Sequence, residues 1–162
     1  MTTDSRSTVA LAGLTAIAVL AVDQATKVAV RASLDPGEER EVLGQVVELV
    51  YVRNTGVAFG QLAGNGALVA ILVAAAVAGL LWYFFTHLST PWIWLPAGMV
   101  VGGALGNLID RVGEGAVTDF VKLPGWPAFN VADFSITAGV ILMVLIAELH
   151  ARRLRREARG EG

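Results

Sequence analysis

The stretch Gly102–Asp133, GGALGNLIDRVGEGAVTDFVKLPGWPAFNVAD, sets three carboxylates, Asp110, Asp119 and Asp133, beside two long apolar segments. An ionised carboxylate held near hydrocarbon costs roughly a few kcal/mol or more, so acids at that depth are read first as functional groups. The flanking sequence argues that they do lie at that depth. No Asp, Glu, Lys or Arg occurs between Arg53 and Asp110, an interval long enough for two spans of ~20 residues each. With 55% hydrophobic residues and a positive mean hydropathy, the chain reads as a membrane protein and not as a soluble domain.

Working outward, the apolar segments predict an all-α polytopic membrane protein, one domain over residues 1–162. Four transmembrane helices are expected near 8–30, 67–86, 92–111 and 131–149. The polar stretch after the first helix, EVLGQVVELVYVRN, alternates only loosely and predicts a small extramembrane β-sheet between helices 1 and 2, near residues 40–53. The first segment follows a short polar start with Arg6, as a secretory signal would, but it is too long and runs past any small-residue cleavage pattern, so it reads as a retained span. Trp82, Tyr83, Trp92 and Trp94 are placed as interfacial aromatics. Gly98, Gly102 and Gly106 recur every four residues, a small-residue stripe that lets a neighbouring helix approach closely.

Charge sets the orientation. Five arginines, Arg152, Arg153, Arg155, Arg156 and Arg159, follow the last apolar run, which marks the tail 150–162 and, with four spans, both termini as cytoplasmic. The three acids are then expected at the outer face. A basic tail beside a span sets topology or touches anionic lipid, and nucleic acid is not an expected partner. The chain has no cysteine, which excludes disulfides and thiolate chemistry. His87 and His150 fall at the cytoplasmic side, away from the acids, so no metal site is expected.

Two carboxylates held close cannot both ionise easily; one keeps a proton while the other acts as a base, and the pair can activate water against a peptide carbonyl. Nothing places a serine beside a base, and Ser135 reads as a helix-start hydroxyl. Asp23 and Lys27 lie four apart on one helix face, in acid-before-base order; they either neutralise each other at a helix end or belong to the site. Asn54 is either a site amide or a turn residue. Asn107 with Asp110 and Asn130 with Asp133 share one Asn-x-x-Asp spacing, so the residues leave open whether Asp110 or Asp119 pairs with Asp133. A small transporter binding cations through Asp23, Asp110 and Asp133 is the rival reading, though no inverted repeat is visible.

Five motifs in order, DQATK (Asp23–Lys27), NTGVAFG (Asn54–Gly60), GGALGNLIDR (Gly102–Arg111), VTDF (Val117–Phe120) and FNVAD (Phe129–Asp133), resemble those of the lipoprotein signal peptidase (signal peptidase II) family. The resemblance implies an aspartic endopeptidase of the bacterial cytoplasmic membrane that removes the signal peptide from diacylglyceryl-modified prolipoproteins just before the lipidated cysteine. It implies no cofactor, membrane lipids as surroundings, a monomer, and sensitivity to peptide-like inhibitors such as globomycin. It assigns the catalytic pair to Asp119 and Asp133, and substrate-binding or supporting roles to Asp23, Lys27, Asn54, Gly56, Asn107, Asp110, Arg111, Asn130 and Ala132. Thr118, Val57 and Phe134 depart from the residues the family favours, and the connection from Val121 to Ala128 is short for it.

Overall fold

A computed structural model describes residues 4–42, 44, 46–55 and 66–160, with side chains omitted for 66–74. The element order is α1 (Ser5–Ser33), β1 (Glu39–Glu41), β2 (Glu48–Asn54), α2 (Gly66–Thr86), α3 (Trp94–Glu114), β3 (Val117–Lys122) and α4 (Val131–Ala158). Four helices therefore stand where four were expected. α1 and α4 run past their predicted ends, and α4 absorbs most of the arginine-rich tail, because Arg and Glu are good helix formers and pair there at four-residue spacing: Arg152 with Glu148 and Arg153 with Glu157, each at 2.7 Å.

Among the described residues, α1 and α4 are long and apolar enough to cross a membrane, with mean hydropathies of 1.7 and 1.9 over their best windows. Only 17% and 22% of those windows are buried against the rest of the chain, the reverse of a soluble core helix. Leu14, Ile17, Val144 and Leu149 are each at least 60% exposed, and apolar surface on that scale belongs against lipid. α3 carries glycines, an amide and Asp110 and Arg111 on a helix of 21 residues, and the described apolar part of α2 is Ala75–Thr86. Of the four expected spans, two meet the length and apolarity of a membrane crossing among the described residues.

α3 is the central helix, and its small residues explain how. A methyl on Gly98 or Gly102 would lie 2.5 Å from the carbonyl oxygen of Ala12 or Ala16, and one on Gly106 would collide with the Asp23 carboxylate. The four-residue stripe is thus the face on which α1 lies. One position along, a methyl on Gly103 would lie 2.6 Å from the Ala132 carbonyl of α4. At the end holding the chain's N-terminus, Ala12, Phe84, Ile93, Ala97 and Met143 form a core drawn from all four helices or their ends. Thr8 ties α1 to the α2–α3 connection through the Leu88 carbonyl at 3.1 Å.

The sheet caps the opposite end. It has three antiparallel strands in the order β1-β2-β3, and this corrects the sequence reading: its third strand comes from between α3 and α4, inside what was expected to be a plain polar connection. α3 ends at Gly115, whose positive φ of 69° suits glycine, and the chain reverses into β3. β2 and β3 pair with Val52 opposite Asp119 and Asn54 opposite Val117, with an irregularity between Leu49 and Val52. Phe120 packs with Val30 and Leu34 of the α1 end, so the sheet is seated on the bundle.

Candidate functional site: a carboxylate and amide network at the sheet end

Five elements bring polar side chains to one place, β2 through Asn54 and four others. α1 contributes Asp23, Gln24 and Lys27, α3 contributes Asn107 and Asp110, β3 contributes Asp119, and the start of α4 contributes Asn130 and Asp133. Lys27 is wholly buried, as is Asp23. Its ammonium lies 2.8 Å from Asp23 Oδ2, 3.1 Å from Asp110 Oδ2 and 3.0 Å from Asn107 Oδ1, so its three N–H donors have three acceptors. The remaining acceptor sites are also filled. Asp23 Oδ1 accepts the Ala132 backbone N–H at 2.9 Å. Asp110 accepts the Thr118 N–H at 3.0 Å and the Gln24 amide at 3.1 Å. This cluster welds α1, α3, β3 and the first turn of α4 together.

Asn107 passes that order on. With its amide oxygen held by Lys27 and by Asn130 Nδ2 at 3.2 Å, its Nδ2 donates to Asp133 Oδ1 at 2.8 Å. Asn130 is the N-cap of α4 in a reciprocal capping box: its Oδ1 accepts the Asp133 N–H at 2.9 Å, and Asp133 Oδ2 accepts the Asn130 N–H at 3.3 Å. Such a cap satisfies two donors that a helix start otherwise leaves unpaired. The same Asn130 donates from Nδ2 to Asp119 Oδ1 at 2.7 Å, and Asn54 of β2 donates to Asp119 Oδ2 at 2.9 Å. Asp119 and Asp133 are thus two carboxyls sharing one asparagine.

Their surroundings differ. Asp119 is 2% exposed, whereas Asp133 is half-buried. Burial pushes the Asp119 carboxyl from 3.8 up to about 6, and the nearby Asp133 charge pushes the same way, against the pull of the Asn54 and Asn130 hydrogen bonds. Two acids at one place with unlike environments form a pair in which one can hold a proton while the other has lost its own.

Most residues singled out in the sequence converge here: Asp23, Lys27, Asn54, Asn107, Asp110, Asp119, Asn130, Ala132 and Asp133. Asp110 faces Lys27, Gln24 and the Thr118 backbone, not the Asp119–Asp133 pair. Arg111 does not enter the network; it is exposed and donates to its own helix at the Asn107 carbonyl, 3.4 Å away. Gly56 and Val57 lie outside the described residues, and Phe134 is 62% exposed. Three members were not foreseen: Gln24, Thr118 and Arg31, whose guanidinium donates to Thr118 Oγ1 at 3.0 Å and lies 3.9 Å from Asp110. An amide beside the one ion pair of an apolar helix was the available signal for Gln24. Nothing local pointed to Arg31.

Fold and site together define a class: a helical membrane protein with a pair of carboxyls of unlike environment, the equipment of an aspartic hydrolase. Comparison with known proteins narrows the class. A family model described as signal peptidase (SPase) II matches residues 15–149, and the chain belongs to that family. It is 42% identical over 137 residues to the lipoprotein signal peptidase of Moorella thermoacetica, covering 80% of this chain and 87% of the relative. With that of Syntrophomonas wolfei it shares 39% over 140 residues, covering 86% and 94%. With that of Mycobacterium tuberculosis it shares 38% over 138 residues, covering 82% and 68%. A bacterial membrane enzyme solved by the in meso method at 1.9 Å resolution superposes with a TM-score of 0.73 at 32% identity, covering 85% of this chain and 92% of that one.

Proposed function

We propose that the protein is the aspartic endopeptidase that removes signal peptides from prolipoproteins, with Asp119 and Asp133 as the catalytic pair. The observation that carries this reading is the asparagine-bridged pair, one carboxyl buried and one half-open, in a chain of the signal peptidase II family. Asp133, the more open carboxyl, takes a proton from water as the water oxygen adds to the scissile carbonyl carbon. Asp119, protonated, gives its proton to the carbonyl oxygen. Collapse of the tetrahedral intermediate breaks the C–N bond, and a proton returns from the pair to the leaving amine. The Asn107 and Asn130 amides hold Asp133 and Asp119 in register throughout.

The substrate class follows from the family and the setting: a diacylglyceryl-modified prolipoprotein whose acyl chains lie in the bilayer beside the exposed apolar helices, cut just before the lipidated cysteine. The chain acts as one domain of four spans, with α2 and α3 crossing beside α1 and α4. The arginine-bearing end of α4 is cytoplasmic and the sheet end is at the outer face, in keeping with the position of the five arginines. It works as a monomer without metal or other cofactor, and globomycin-like peptides compete for the site. Asn54 and Arg111 contact substrate, and Asp23, Lys27, Asn107, Asp110, Asn130 and Ala132 support the pair.

Purified protein in detergent, given a diacylglyceryl-modified prolipoprotein with and without a chelator, tests the reading. Chelator-resistant cleavage that Asp119→Asn and Asp133→Asn each reduce at least about a thousandfold is expected, since removing one member of a catalytic unit loses most of its effect. Full cleavage by Asp119→Asn with none by Asp110→Asn would move the pair to Asp110 and Asp133.

A further inference from the structure

At the end of the bundle away from the site, the start of α3 and the late turns of α4 enclose a pocket of about 220 Å³. Trp92, Ile146 and Leu149 make its apolar wall, and Thr90, His150 and Arg153 its polar side. No carboxylate lines it. The connection that supplies Trp92 is firmly held, by Thr8 on the Leu88 carbonyl and by the Thr90 N–H on the His87 carbonyl at 2.9 Å. Trp92 nonetheless has a positive φ of 65° and is 65% exposed. A bulky residue held in that region is strained, and such strain persists where the surroundings over-determine it, often at binding sites.

The pocket continues into a track. Ile141, Leu145 and Leu149 recur every four residues on α4 and are 54%, 52% and 64% exposed, and the next position in that series is Arg153. From Arg153 back to Ile141 the helix rises ~18 Å, close to the ~15 Å depth of one leaflet's hydrocarbon. A pocket of this size is below the roughly 300 Å³ at which sites for whole small molecules begin, yet it opens onto an apolar track of leaflet depth with a cation at its head. That shape fits a molecule whose anionic head is small and whose tail is long.

We infer that this pocket and track bind one anionic phospholipid, its phosphate at Arg153 and His150 beside the Trp92 ring and one acyl chain along Leu149, Leu145 and Ile141. The charge is complementary: the five arginines of residues 152–159 outnumber Glu148 and Glu157, and Arg near a membrane surface favours anionic lipid. Arg153 is paired with Glu157 through its Nε alone, at 2.7 Å, so its two terminal amino groups still have donors to offer an anionic head. The inference rests on the membrane-spanning reading above, with this end at the headgroup level.

The test uses the full chain in nanodiscs of phosphatidylcholine carrying a small fraction of a photoactivatable phosphatidylglycerol or, separately, of a photoactivatable phosphatidylcholine. Phosphatidylglycerol should cross-link to residues 141–153 about tenfold more than phosphatidylcholine, and the double variant Arg153→Gln, His150→Gln should fall to the phosphatidylcholine level, while Arg159→Gln stays within about twofold of the unaltered chain. Equal labelling by the two lipids, full labelling of the double variant, or displacement by excess inorganic phosphate would each overturn the inference. Cleavage of prolipoprotein by the same discs reports the peptidase reading separately, since these residues lie at the far end from the carboxyl pair. Labelling of an Arg159→Cys chain in sealed spheroplasts reports the sidedness, which the lipid readout does not need.

Discussion

Lys27 shows how far one side chain can organise a site it does not complete. Its charge is compensated on two sides by Asp23 and Asp110, and its third bond fixes which way the Asn107 amide faces. Removing one partner of a buried ionic cluster typically costs about 3–5 kcal/mol, because the remaining charges lose compensation. Lys27→Met should therefore lower the thermal midpoint in detergent sharply and abolish cleavage, and a midpoint within a degree or two of the unaltered protein would refute the role. Asp119 yields a prediction of the opposite sign. A carboxyl whose pKa is raised from 3.8 to about 6 binds its proton more tightly in the folded state, so its contribution to stability declines as pH rises through that window. Asparagine does not titrate. The stability of Asp119→Asn relative to the unaltered chain should thus improve between pH 4 and pH 7 by an amount on the order of 1–3 kcal/mol, measured by thermal unfolding across pH. In the proposed mechanism the same carboxyl must be protonated, so kcat/KM should fall as pH rises past about 6. Asn54→Leu, which removes a hydrogen bond to the charged form, should move that limb upward. Thr118 has a contact of its own at this scale: its hydroxyl accepts from Arg31.

At the scale of elements, the helices were legible and one strand was not. Long uncharged runs bounded by polar turns announce helices whatever they pack against, and the four-residue glycine spacing announced the face on which another helix lies. β3 left no such mark. Val117, Thr118, Asp119 and Phe120 are all buried, so the in-and-out alternation that identifies a half-exposed strand is absent. Its partner strand lies more than sixty residues earlier in the chain. The amide network was half visible: the Asn-x-x-Asp spacing drew attention to the right residues, but sequence spacing does not reveal that the Asn130 amide reaches across to Asp119. The glycines give the element-scale prediction. Gly106→Ala drives a methyl into the Asp23 carboxylate, whereas a methyl at Gly113 meets nothing within 4 Å. The first should cost roughly 1–3 kcal/mol as overpacking does and reduce cleavage. Gly113→Ala should be neutral or slightly stabilising, since alanine favours a helix by about 1 kcal/mol over glycine; similar unfolding midpoints for the two variants would rule out the packing described.

Taken whole, the molecule has two ends with different chemistry. One end joins the four helices through apolar contacts and carries the arginines; the other holds the buried ions, the amides and the sheet. With no native cysteine, sidedness can be read by single-cysteine labelling in spheroplasts. Trp126→Cys, on an exposed residue between β3 and α4, should react with an impermeant thiol reagent from outside, and Arg159→Cys only after lysis. The reverse pattern would invert the proposed topology while leaving the site's geometry untouched.

The loop from Leu123 to Ala128 bears on how this protein can vary. Val121 and Phe129 exchange N–H to carbonyl bonds at 2.8 and 2.9 Å, closing the loop at its base just before Asn130 begins α4. The angular phase of α4, and with it the direction of Asp133, is set below that clasp and not by the length of chain above it. Inserted residues at Gly125 should leave cleavage intact, whereas one residue added between Asn130 and Asp133, inside the first turn, would rotate the two by about 100° relative to one another and break the capping box. The loop's length is thus uncoupled from the placement of the carboxyls, and an epitope grafted there should report on the enzyme without disarming it.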